Sequence, residues 1–189
     1  MNCWRCHEPV QGPVCVGCGA IQPPRPDLDL FAVLGLPRKW ATDPADVASA
    51  WRATSRKVHP DRFAGKAAVE RRMALQWTAT VNQAKSVLTD DHARALYLVT
   101  GKPAPDEAGG PTLDPDFLEA VFDLQMLAGE DPAAAAAQAE SLRDQHVAAV
   151  DAALTLLDQG GSPDLPRVEA ELARVRYLDK TLAQARAAT

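Results

Sequence analysis

The chain has 189 residues and a formal net charge of -5; 47% of its residues are hydrophobic, 24% charged and 5% aromatic. That length suffices for one compact domain or for two small ones with separate cores. The acidic balance argues against nucleic acid as the main partner, no apolar run approaches a membrane-spanning length, and no secretory or transit-peptide pattern follows Met1-Asn2-Cys3. The expected compartment is the cytoplasm, where thiols stay reduced and free for metal. The fifteen prolines and eleven glycines cluster between periodic segments, which favours several modules, and long Ala/Leu/Glu/Arg stretches favour helix throughout. Arg38 to Arg72 holds nine Lys/Arg against four Asp/Glu, a local +5, whereas Ala104 to Thr189 holds six against sixteen, a local -10. A basic and an acidic segment suggest two different partner surfaces.

Residues 1–26 form the first expected module. All four cysteines fall in its first eighteen positions, as Cys3-x2-Cys6 and Cys15-x2-Cys18. Each CxxC turn aims two thiolates at one point, and two turns complete a tetrahedral four-sulfur shell. One structural Zn²⁺ fits that ligand set, and iron is compatible with the same sulfurs. Gly17 and Gly19 suit the second turn, and Gly12 and Pro13 the hairpin between the pairs. Two disulfides or a thioredoxin-type redox pair are the competing readings; the redox pair belongs beside a βαβ pattern, which is absent. His7 follows Cys6 and is a substitute ligand by position, although an exposed side chain is expected of it. So small a segment should unfold without its metal. Ile21 to Pro26 reads as a stiff linker.

In residues 27–100, Asp27 or Asp29 caps a short helix through Leu30, Phe31, Val33 and Leu34, and Gly35 with Pro37 stops it. Thr42 or Asp43 caps a second helix that opens at Pro44 and runs to Val58. Val47, Trp51, Thr54 and Val58 form its apolar stripe, while Arg52 and Arg56 lie opposite with Lys57 beside them. A third helix is expected from Lys66 to Leu88, with the stripe Met73, Trp77, Val81, Ala84 and Leu88. The two long helices should fold back as a hairpin. Pro60 cannot continue the second helix and pushes His59 out of helical geometry, so His59, Pro60 and Asp61 stand at the exposed tip. A His near an Asp can form an acid/base pair, but no nucleophile or second carboxylate pair accompanies them, and no catalysis is expected of this chain.

Residues 101–113 read as a linker by composition, and residues 114–189 as three helices, from about 115 to 128, 132 to 158 and 163 to 186. Gly129 and Gly160-Gly161 are the expected stops, and short loops imply an antiparallel bundle. On the first of these helices Phe117, Val121, Leu124 and Ala128 should face the core. Leu118, Phe122 and Met126 form a second stripe rotated by roughly 100°, either a wide core face or an exposed groove for a partner. On the third, Val168, Leu172, Val175 and Leu182 make the core stripe, and Tyr177 falls on the opposite side.

His59-Pro60-Asp61 at the tip of such a hairpin resembles the signature of a J-domain, the module that couples a co-chaperone to a DnaK-type ATPase. Leu30-Phe31-Ala32-Val33-Leu34-Gly35-Leu36-Pro37, His59-Pro60-Asp61-Arg62-Phe63, Val81-Asn82-Gln83-Ala84 and Arg94-Ala95-Leu96-Tyr97-Leu98 occur in that order. Together they resemble the HscB family of iron–sulfur co-chaperones, and the double CxxC resembles the subset of that family carrying a zinc knuckle. The resemblance implies an all-α, L-shaped molecule with a J-domain hairpin and a C-terminal three-helix bundle, preceded by a tetracysteine knuckle. It implies that His59, Pro60, Asp61, Arg52, Arg56 and Lys57 dock on an HscA- or DnaK-type ATPase and stimulate it. It further implies that the bundle binds an IscU-type scaffold and promotes cluster transfer. Phe117-Leu118 and Tyr177-Leu178-Asp179-Lys180 resemble the family's runs, which carries scaffold contact onto Leu118, Phe122, Asp123 and Tyr177. Glu119 and Met126 depart from the family pattern. The compartment implied is a bacterial cytoplasm rather than a mitochondrial matrix, with no nucleic-acid or membrane partner. The alternatives are a generic J-protein for unfolded clients and a thiol- or metal-handling protein centred on the cysteines.

Overall fold

The structure, a computed structural model, describes residues 1–25, 27–104 and 112–187, the last four of these as backbone. Pro26, the stretch 105–111 of the expected linker, and residues 188–189 lie outside the described residues. Among the described residues there are seven α-helices, and extended backbone pairs only in two isolated bridges, Asn2 with Pro9 and Val14 with Ile21. The fold is therefore all-α. The chain divides into two compact units, Met1–Asp91 and His92–Thr189.

In the first unit, α1 (Leu30–Leu34) begins at Asp29, whose carboxylate accepts from the amides of Phe31 and Ala32. It ends at Gly35, whose φ of 71° is left-handed and costs glycine little. Asp43 caps α2 (Pro44–Val58), which opens on Pro44. The chain then enters a 3₁₀ turn, Pro60–Phe63, and continues into α3 (Ala68–Thr89). The turn buries Phe63, so the connection is anchored rather than loose. α1, α2 and the turn all pack on α3. Its buried face comprises Ala74, Trp77, Val81, Ala84, Val87 and Leu88, and that of α2 Val47, Thr54 and Val58. Trp51, expected in the core, is only half-buried. Its indole Nε1 donates to Asn82 Oδ1 at 2.9 Å, and Lys85 Nζ lies 4.3 Å from its ring centroid. This gives Asn82 a role that apolar packing alone could not. Ile21 and Gln22, expected at the start of a linker, are fully buried.

In the second unit α4 (Asp91–Thr100) starts at the boundary and buries Arg94, Ala95, Leu96, Tyr97 and Leu98. α5 (Pro115–Glu130) and α7 (Leu165–Ala187) both pack on α6 (Pro132–Asp158). Phe117, Val121 and Leu124 of α5, Ala139 of α6, and Leu178 and Leu182 of α7 share one core cluster. Val168, Leu172 and Val175 are buried as expected. Three expectations are corrected. Ala128 is exposed, because the buried stripe of α5 ends at Leu124. Gly129 does not stop α5, which runs to Glu130; Asp131 ends it and then caps α6 through the amides of Ala133 and Ala134, with Pro132 fixing the break. Tyr177 is half-buried and packs on the core, its ring edge-on to Phe117 at 6.0 Å. No helix among the described residues is long and apolar enough to cross a membrane.

Leu178 and Leu118 give a direct test of this packing. Leu178 is 0% exposed and Leu118 45% exposed. Leu178→Ala should lower unfolding stability by about 2–5 kcal/mol, whereas Leu118→Ala should stay within about 0.5 kcal/mol; chemical denaturation of both variants measures this.

Candidate functional site

Three groups of side chains are candidates for a functional site. The first is the hairpin tip. Pro60 fixes its own φ and ends the helical run, and His59 takes extended backbone (φ -56°, ψ 131°) as the N-cap of the 3₁₀ turn. Its ring Nδ1 accepts from the Asp61 amide at 3.3 Å and lies 3.5 Å from Asp61 Oδ2. The side chains of His59 and Asp61 are 56% and 90% exposed. Arg52, Arg56 and Lys57 are exposed on α2. Arg62, beside the tip, turns back to donate to the Arg56 carbonyl at 3.2 Å. The predicted tip residues and basic face therefore all reach solvent, while Val47, Thr54 and Val58 of the same helix are buried.

The second group lies on α5. Leu118, Phe122 and Met126 are 45%, 60% and 60% exposed, and Asp123 beside them is exposed too. The neighbouring stripe of the same helix holds the core, so this is a true two-sided apolar helix. Its start is fixed by charge. Asp114 accepts from the Phe117 amide at 2.9 Å and from Arg174 of α7, whose Nε and Nη2 lie 3.1 and 2.5 Å away. Arg174 Nη1 also donates to Glu171 at 2.8 Å, and Glu171 meets His146 Nδ1 at 2.5 Å. The Phe117 amide and the Arg174 guanidinium hold the Asp114 carboxyl below its ordinary range. A depressed carboxyl adds stability above its unfolded pKa of about 3.9 and loses it as pH falls through the folded value. Tyr177 does not join the exposed stripe as an opposite-face residue. In the Tyr177-Leu178-Asp179-Lys180 run, Leu178 is core and Asp179 accepts from Arg143 Nε of α6 at 2.5 Å.

The third group is the cysteine cluster. The two CxxC turns share one geometry. Cys3 N donates to Glu8 O at 2.8 Å, and Cys15 N to Ala20 O at 2.9 Å; His7 N and Gly19 N return to the carbonyls of Cys3 and Cys15 at 3.0 and 2.9 Å. His7 (φ 62°) and Gly19 (φ 70°) are the matching left-handed positions. His7 is thus a turn residue, exposed and outside the sulfur cluster, not a substitute ligand. The four Sγ atoms lie within 4.8 Å of one another, with Cys3–Cys18 and Cys6–Cys15 both at 3.6 Å. A tetrahedral shell with metal–sulfur bonds of about 2.3 Å spaces its sulfurs by about 3.8 Å, whereas a disulfide needs about 2.05 Å. All four thiols are free and gathered as a ligand shell, so these residues can hold a metal ion. Burial raises the Cys3 thiol, but the amides of Cys6 and Arg5 and the adjacent thiols outweigh it and lower Cys3 to about 6. The Glu8 amide lowers Cys6, yet the Cys18 thiol, burial, and the Cys15 and Cys3 thiols together push it up to about 12.

Comparison with known proteins agrees with this layout. The family model "DnaJ domain" matches residues 29–97. The "Co-chaperone protein HscB homolog" of Bordetella pertussis (strain Tohama I) is 36% identical over 137 residues, covering 70% of this chain and 81% of that protein. The chain belongs to the HscB co-chaperone family. The HscB homologue of Arabidopsis thaliana, named an "Iron-sulfur cluster co-chaperone protein", is 29% identical over 124 residues, covering 66% of this chain and 49% of its own. The crystal structure of the human co-chaperone protein HscB matches with a TM-score of 0.76 at 25% identity, over 98% of this chain and 97% of that one. Within this family frame, Gln22, Asp114 and Arg174 are residues that periodicity and motif did not single out. Their signal is long-range hydrogen bonding, which leaves no local pattern.

Two expected outcomes follow from the geometry. Relief of the left-handed His7 by His7→Gly should tighten the cysteine turns by up to about 1 kcal/mol, read as a rise in metal affinity in chelator competition. His59→Gln should leave the circular-dichroism melt within about 0.5 kcal/mol of wild type, because the ring is exposed; a large drop would make the residue structural.

Proposed function

We propose that this protein binds an IscU-type iron–sulfur scaffold and delivers it to an HscA- or DnaK-type ATPase. In doing so it stimulates hydrolysis in that partner and promotes cluster transfer to acceptor proteins. The observation that carries the reading is the unpartnered stripe Leu118, Phe122 and Met126 on a helix whose other stripe fills the core. A contiguous exposed apolar strip rimmed by polar residues marks an interaction site. Its occupant is the scaffold, which Leu118 and Phe122 grip as apolar anchors with Asp123 at their side. Tyr177 adds the part of its ring that the core leaves open. His59, Pro60 and Asp61, with Arg52, Arg56 and Lys57, dock on the ATPase, where exposed basic charge sets on-rate and register against an acidic patch.

The chain itself performs no bond chemistry in this reading. It couples two binding events, so each partner changes the effect of the other. Cys3, Cys6, Cys15 and Cys18 hold one structural Zn²⁺, which supplies the folding energy that so small a segment cannot draw from apolar burial. The compartment is the bacterial cytoplasm.

Calorimetric titration with the cognate scaffold, against an unfolded model client, tests the reading. The expected result is saturable one-to-one binding to the scaffold alone, weakened by about 2 kcal/mol or more in Phe122→Ala if that ring is a central anchor. Equal binding of the unfolded client would instead favour a general J-protein. Zinc that is held without any thiol redox cycling would count against a redox role for the cysteines.

A further inference from the structure

The cysteine turns and α3 meet at one buried polar residue. Gln22 is 1% exposed, and burial of an amide is costly unless every donor and acceptor is met. Here they are met. Nε2 donates to Cys3 Sγ at 3.3 Å and to Ala20 O at 2.8 Å, and Oε1 accepts from Trp4 N at 3.2 Å. The main chain of Gln22 is engaged as well: its N–H donates to Pro13 O at 2.8 Å, and its carbonyl accepts from Trp77 Nε1 at 2.6 Å. Trp77 is 4% exposed, in the middle of the buried face of α3. A single residue thus touches one sulfur of the ligand shell, both cysteine turns, and the helix on which α1, α2 and the 3₁₀ turn pack.

Two neighbouring contacts have the same direction. Trp4 Nε1 donates to Ile21 O at 2.6 Å, and Ile21 is 0% exposed. Arg5, inside the first CxxC turn, brings Nη1 to 3.9 Å from Oε1 of Glu70 on α3. Glu70 is 4% exposed, and that oxygen has no hydrogen-bond partner. The guanidinium is the positive charge that this carboxylate faces.

We propose that Gln22 supports the metal site from outside its ligand set and ties metal occupancy to the packing of α3. The proposal rests on the reading of the four thiolates as a zinc shell. Cys3 in its ligating form is a thiolate, so the hydrogen bond from the Gln22 amide is a charge-assisted one. That bond sets the side-chain amide, whose remaining bonds hold Ala20 and Trp4. Residues 20–22 are thereby held so that the Gln22 carbonyl meets Trp77. The cysteine turns bury only Cys3, Val10, Cys15 and Ala20 in a cluster of their own, too little to stay folded once the thiolates lose their common ligand. Their opening removes the acceptor of Trp77 Nε1 and the countercharge of Glu70, which loosens α3. By reciprocity, if bound metal favours the Trp77 contact, then the contact favours bound metal, and its loss must weaken metal binding.

The test uses the full chain. Zinc affinity is measured by competition with a colorimetric chelator, and hydrogen exchange is followed by mass spectrometry in the zinc-loaded and the chelator-stripped, reduced protein. Gln22→Met should weaken zinc binding by about 10–100-fold. Trp77→Phe, which alters no cysteine and keeps an aromatic ring, should weaken it roughly fivefold or more. Leu178→Ala, in the other unit, should leave it unchanged. Zinc removal should speed exchange across 68–89 as well as 1–22. Wild-type affinity in Trp77→Phe, or exchange across 68–89 that ignores zinc, would overturn the coupling and leave the zinc site standing. A wild-type protein that binds no zinc would overturn both.

Discussion

Burial of one face of α3 is the constraint on which the N-terminal unit depends. Trp77, Val81, Ala84 and Leu88 form a continuous apolar strip, and α1, α2 and the 3₁₀ turn all settle against α3. Because Val47, Thr54 and Val58 spend the inner face of α2 on that strip, its outer face is left for Arg52, Arg56 and Lys57. Because Phe63 anchors the far side of the turn, His59 and Asp61 are held outward while remaining on a rigid support. The cysteine turns join the same strip through Trp77 and Gln22. Exposure of the tip is thus a by-product of a core that has no room for those side chains.

The C-terminal unit solves a different problem with one helix. α5 must give Phe117, Val121 and Leu124 to the bundle and still offer Leu118, Phe122 and Met126 to solvent. An apolar surface on both sides leaves the rotation of such a helix poorly specified by the hydrophobic effect alone, which has no direction. Polar contacts settle it. Asp114 caps α5 and is gripped by Arg174, whose guanidinium also lies 5.9 Å from the centroid of the Phe117 ring. His146 meets the same ring edge-on at 5.6 Å. One arginine therefore fixes both the start of α5 and the ring that decides which stripe turns inward.

Much of this was legible in the sequence, because it is written in short spacings. The CxxC pairs, the Pro44 and Pro132 starts, the Gly35 stop and the His59-Pro60-Asp61 tip are local, and the structure has them where spacing put them. The misreadings have physical causes. A helical wheel assumes one buried face, but α7 packs on α6 and also brings Tyr177 to Phe117 of α5, so its buried arc is wider and takes in a residue placed opposite. Gly129 looked like a stop, yet glycine only permits an end, whereas Asp131-Pro132 enforces one. Ile21 and Gln22 looked like linker because proline follows them; their burial depends on Trp77, fifty-five positions from Gln22 along the chain. Asn82 made sense only once Trp51 was beside it.

The proposed function requires one chain to carry both surfaces at once. Single-turnover ATP hydrolysis by the DnaK-type partner, measured with scaffold present, tests it most directly. His59→Gln protein and Phe122→Ala/Met126→Ala protein should each fail to give full stimulation, and an equimolar mixture of the two should fail as well, since neither chain holds both partners. Full stimulation by the mixture, or by the Phe122→Ala/Met126→Ala protein alone, would contradict the account.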